Sequence, residues 1–151
     1  MGLDCYIVHG NDREKAFTYE DDPRIKDINL CGGMMSNHGA DGSFRGKWYD
    51  PLVSELLEED CVWYPDEGEY IQADQLKKQA KALADLIHAV ESDAKEQDLL
   101  IDDGKTTLSP ETIIYQTRHN SPYEYSYQEI QDLELLLRCA SERGCVMECW
   151  Y

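Results

Sequence analysis

Basic residues are scarce in this chain. Its 151 residues include 14 Lys and Arg against 31 Asp and Glu, a formal net charge of -17. Affinity for a phosphate backbone comes mainly from Lys and Arg, and so negative a field repels one. No nucleic-acid binding is therefore expected, and a basic protein partner is the class that the charge admits. Solubility alone accounts for the acidity equally well.

Long apolar runs are lacking too. No stretch reaches the roughly 18 apolar residues of a membrane span. The opening Met1-Gly2-Leu3-Asp4 shows no basic region leading into an apolar core, the pattern of a signal peptide. The expectation is no membrane association and a cytoplasmic location. Nor is there a C-x-x-C pair among Cys5, Cys31, Cys61, Cys139, Cys145 and Cys149, whose spacings fit no common zinc pattern. They read as buried thiols, with no metal and no cofactor expected. Cys145 and Cys149 would share one face of a strand, with Cys5 a candidate neighbour.

What is present points to one compact domain over residues 1–151. A chain this long buries roughly 70% of its unfolded surface and needs no staples. The 42% hydrophobic content and ten tyrosines argue against disorder. No internal repeat, linker or low-complexity tract interrupts it.

The apolar run Leu3–Val8 reads as a first strand, and Asp21-Asp22-Pro23 as a turn. Ile28–Cys31 reads as a second strand running into Gly32-Gly33. Ser43–Tyr49 alternates, which predicts a strand with Ser43, Arg45, Lys47 and Tyr49 on one side and Phe44, Gly46 and Trp48 on the other. Asp50-Pro51 then looks like an N-cap followed by a helical first position. That short helix has Leu52, Val53, Leu56 and Leu57 as its apolar side, and Glu58-Glu59-Asp60 closes it.

From Asp50 to Gln72 the chain holds eight acids and no base, and residues 61–72 read as a loop with a brief strand. Asp74 caps the longest predicted helix, about Gln75 to Lys95, with Leu76, Ala80, Leu83, Ile87 and Val90 as its inward stripe. Asp98–Pro110 contains a turn at Asp102-Asp103-Gly104-Lys105. Thr112–Thr117 favours a strand by its β-branched content, although Ser109-Pro110-Glu111 equally suits the opening of a helical turn, and His119–Tyr125 reads as loop. Ser126 with Glu129 forms a capping-box pattern opening a helix to about Arg143. Its inward residues are Ile130, Leu133, Leu137 and Ala140, and Gly144 is a left-handed stop. The terminal CVMECWY reads as a strand packed in the sheet beside the first. Together these predict an α+β fold: a small, mostly antiparallel or mixed sheet, N- and C-terminal strands included, covered by two main helices.

The stretch Asn29–Tyr49 holds five of the ten glycines, with one acid (Asp41) against two bases (Arg45, Lys47). It matches neither the Walker loop nor the dinucleotide fingerprint. Loose backbone N–H groups with Arg45 and Lys47 could hold an anion, and His38, Asp41 and Ser43 could form an acid–base set. Cys31 with His38 is a weaker thiol–imidazole pairing. Turn-forming glycines and ordinary ion pairs explain the same residues without a ligand.

Two functional readings follow. The first is a protein-binding module of inhibitor, immunity or adaptor type, on the strength of the charge, the tyrosines and the lack of a catalytic signature. The alternative is a small enzyme or anionic-ligand binder with its site in the loop 32–47, using His38, Asp41, Ser43, Arg45 and Lys47.

Overall fold

The computed structural model describes residues 3–32, 38–100, 114–116 and 124–150. In order, the elements are β1 (Asp4–Val8), β2 (Ser43–Phe44), α1 (Gly46–Leu57), α2 (Ala73–Leu100), β3 (Ile114–Gln116), β4 (Glu124–Ser126), α3 (Tyr127–Glu142) and β5 (Val146–Trp150), with a 3-10 turn at Pro23–Ile25. The fold is α+β. Its main sheet is antiparallel in the order β2-β1-β5, so the first and last strands of the chain are neighbours, as their apolar runs predict. The register runs from Asp4 opposite Trp150 to Val8 opposite Val146. A separate antiparallel pair joins β3 to β4.

Alternation along the strands sorts the sheet into two faces. Cys5, Ile7 and Met147 are fully buried and belong to one apolar core with Leu52, Leu76, Leu83, Leu133 and Leu137. Asp4, Tyr6, Glu148 and Trp150 lie on the opposite face, which is only partly covered; Trp150 is 62% exposed. The predicted stripe of α2 holds, with Leu76, Ala80, Leu83 and Val90 buried, although the helix runs longer than predicted and Asp74 sits within its first turn rather than capping it. Among the described residues no helix is long and apolar enough to cross a membrane.

The capping box of α3 is present in full. The Ser126 side chain accepts from the Glu129 N–H, and Glu129 accepts from the Ser126 N–H. Ile130, Leu133, Leu137 and Ala140 are buried, and Gly144 closes the helix at φ 70°.

Four local expectations are overturned. The strand expected over Ser43–Tyr49 lasts only two residues, because α1 begins at Gly46. No side chain caps that start. Instead the Lys47 N–H donates to the carbonyl of Leu3, the residue before β1, at 3.0 Å, which satisfies one donor of the first turn. Gly46 permits the approach, since a Cβ there would lie 2.3 Å from the Cys5 sulfur. Asp50 is consequently inside the helix and not its cap; its carboxylate accepts from the Trp63 N–H at 3.2 Å. Ile28–Cys31 forms no strand, its Leu30 N–H bonding instead to the His38 carbonyl at 2.9 Å. Glu124 and Tyr125, expected in a loop, belong to β4, which runs directly into α3. The expected turn at Asp102–Lys105 lies outside the described residues.

The segment after α1 is loop, as predicted, with Ile71 forming a single bridge to Met147 through two 2.9 Å hydrogen bonds. Trp63 anchors it. That indole is fully buried, lies edge-on to Phe44 with centroids 5.5 Å apart, and donates to the Gln79 side chain at 2.9 Å.

Candidate functional site

The glycine-rich stretch divides into separate arrangements. Ser43 donates its hydroxyl to Asp41 Oδ1 at 2.7 Å, and its N–H reaches the same oxygen at 3.1 Å. The Asp therefore orients the Ser, which is buried. His38 is exposed at φ 61°, with Nδ1 3.0 Å from the Leu30 carbonyl. A carbonyl can only accept, so Nδ1 carries the hydrogen and Nε2 is left as an acceptor. Arg45 has a guanidinium nitrogen 3.7 Å from Asp4 Oδ1, and Lys47 is exposed in the first turn of α1.

His38 does share a cleft of about 440 Å³ with Cys31, Trp48, Glu129 and Asp132, but neither Arg45 nor Lys47 lines it. Burial, followed by the Glu129 charge, raises the Cys31 pKa. At neutral pH Cys31 is a thiol, which is a poor nucleophile. Tyr49 ties this region together. Its hydroxyl accepts from the Cys31 N–H at 2.8 Å and donates to Glu129 Oε2 at 2.8 Å. Among the described residues no three His, Cys, Asp or Glu side chains converge as metal ligands.

A larger cleft, of about 700 Å³, opens where the 65–70 segment meets the end of β5. Asp66, Glu67, Glu69 and Glu148 line it together with Tyr70 and Trp150, and among the described residues no Lys or Arg does. Tyr64, 39% exposed, precedes it in the chain. The Ile71–Met147 bridge fixes this geometry. Because Met147 turns both its N–H and its C=O toward Ile71, the alternation of an antiparallel ladder turns those of Cys149 the same way, away from β1 and toward the cleft. Strand edge, aromatic rings and carboxylates thus meet in one place. The ring of Tyr70 already carries a cation, with the Arg13 guanidinium carbon 4.3 Å from its centroid. Around the sheet face the field is negative: burial and then the charges of Asp4, Asp41 and Glu148 raise the pKa of Tyr6.

The sequence carried a partial signal for this cleft. The acidic run from Asp50 to Gln72 supplies one wall. Glu148 and Trp150 were hidden inside a tail that reads as wholly packed, and only the register of β5 shows that they face outward.

A different chemistry holds at Asp22, which is 2% exposed. It caps the 3-10 turn through the Arg24 N–H and pairs with the Arg24 guanidinium at 2.8 Å and with Arg143 at 3.2 Å. Hydrogen bonds from the Arg24 side chain hold its pKa well below the usual carboxylate range, against the opposing effect of burial. Asp50 is the reverse case, its pKa raised by burial despite the bonds from Trp63 and Ser54. Comparison with protein-family models, with curated proteins and with solved structures gave no match, so these residues themselves carry the functional reading.

Proposed function

We propose that the protein is a binding module that takes a basic segment of a protein partner in the cleft between residues 65–70 and β5. The observation that carries this reading is the pairing of an exposed Trp150 with Asp66, Glu67, Glu69 and Glu148 in a cleft that no Lys or Arg lines among the described residues. Aromatic anchors beside complementary charge are the recurring energetic centres of protein interfaces. Arg13 over Tyr70 is an intramolecular example of the contact that a partner's arginine would make. The Cys149 N–H and C=O offer one strand-edge position to an extended chain.

The test is co-purification from native lysate across a salt series, with wild type beside Trp150→Ala and Glu148→Lys. A protein partner should be retained by wild type, released as salt rises, and weakened about tenfold by Trp150→Ala. Equal retention by all three proteins, or no retained partner at low salt, overturns the reading.

A further inference from the structure

Cys5 and Cys149 stand directly opposite each other on β1 and β5, with sulfurs 3.9 Å apart. The hydrogen bonds of Met147 to Ile71 set the phase of the β1–β5 ladder, so that Ile7–Met147 and Cys5–Cys149 are its non-hydrogen-bonded pairs. In such pairs the Cα atoms approach to about 4.5 Å, inside the span of about 4.4–6.8 Å that a disulfide bridges. The two thiols differ in access. Cys5 is fully buried, whereas Cys149 is half-buried and lines the 700 Å³ cleft.

We propose that Cys149 and Cys5 form a reversible dithiol–disulfide couple, with Cys149 the entry point for a small disulfide oxidant such as oxidised glutathione. The Cys149 thiolate attacks one sulfur of the oxidant and releases one glutathione, leaving a mixed disulfide. Cys5 then attacks the Cys149 sulfur and expels the second glutathione. The protein loses two hydrogens and two electrons, the oxidant gains both as two thiols, and one S–S bond replaces another at each step. The product joins the first strand of the chain to the last without altering their register. Burial raises the Cys5 pKa and keeps the oxidant from it, so the first attack falls to Cys149. Of the four other thiols, Cys139 and Cys145 are buried, with pKa values pushed up to about 11, Cys31 is half-buried and Cys61 is exposed.

The experiment incubates the native, fully reduced protein with excess oxidised glutathione and maps the thiols by mass spectrometry of a digest made after alkylation. The exposed Cys61 serves as the internal clock, its conversion to the mixed disulfide marking sufficient exposure to oxidant. By then most of Cys149 should appear in a peptide linked to Cys5, and dithiothreitol should release it. The half-buried Cys149→Ser variant should give no link to Cys5. Cys149 found reduced, held as a glutathione adduct, or linked elsewhere once Cys61 is converted overturns the proposal. So does a Cys5 link that persists in Cys149→Ser.

Discussion

At the Asp22 end of the molecule a buried carboxylate takes hydrogen bonds from Arg24 and Arg143, and Arg24 reaches on to Glu142 at 2.7 Å. At the end of β5, Asp66, Glu67, Glu69 and Glu148 surround a cleft that no base lines among the described residues. The chain has few cations, and it places two of them where a turn must be joined to the last turn of a helix. The contrast separates two meanings of one composition. Acids at the first end are structural and paired with cations; those at the second line an open cleft.

Breaking the structural end should give the largest effect. Asp22→Ala removes a cap and the carboxylate that two guanidiniums share, and a loss of about 2–3 kcal/mol is expected in urea unfolding. Its pH dependence follows from the lowered pKa. The contribution of Asp22 is fully present above the ordinary carboxylate value of 3.8 and is lost as pH falls through the lower native value. The acid limb of the stability profile should therefore flatten in Asp22→Ala.

Asp50 sharpens the comparison from between these extremes. Its raised pKa means that its favourable contribution is complete below the ordinary value and is lost as pH rises through the native one. Asp50→Asn keeps an acceptor for the Trp63 N–H and removes the buried charge. It should gain up to about 1 kcal/mol at neutral pH and nothing in acid, as read by unfolding at both. The smallest effect belongs to the cleft. Glu148→Gln should change stability by less than about 0.5 kcal/mol, because the carboxylate is partly exposed and pairs with no cation among the described residues. A loss as large as that of Asp22→Ala would erase the distinction between the two ends.

Much of the fold was legible because local signals and long-range packing agree. Ser126 and Glu129 cap α3, Gly144 ends it, and the apolar termini pair. Reading failed where tertiary contacts replaced local ones. The start of α1 has Arg45 in place of a capping side chain, Gly46 at its first position and Pro51 in its interior, all of which argue locally against a helix. The Leu3 carbonyl and the close approach to Cys5 decide otherwise. The same holds for the candidate sites. His38 lines one cleft with Cys31, and Arg45 reaches it only through its N–H on the Cys31 carbonyl, whereas the 65–70 segment and β5, far apart in the chain, form the larger cleft.

The hydrogen-bond relay through Tyr49 has a mechanical consequence. One hydroxyl is shared by the Cys31 amide and the Glu129 carboxylate, and that carboxylate's other oxygen holds the first turn of α3. A loop, α1 and α3 therefore pivot on a common pin. Fraying at the start of α3 frees the carboxylate that anchors Tyr49, and displacing Tyr49 leaves the Cys31 amide without its acceptor. The three segments keep their order together or give it up together, although nearly a hundred residues separate Cys31 from Glu129.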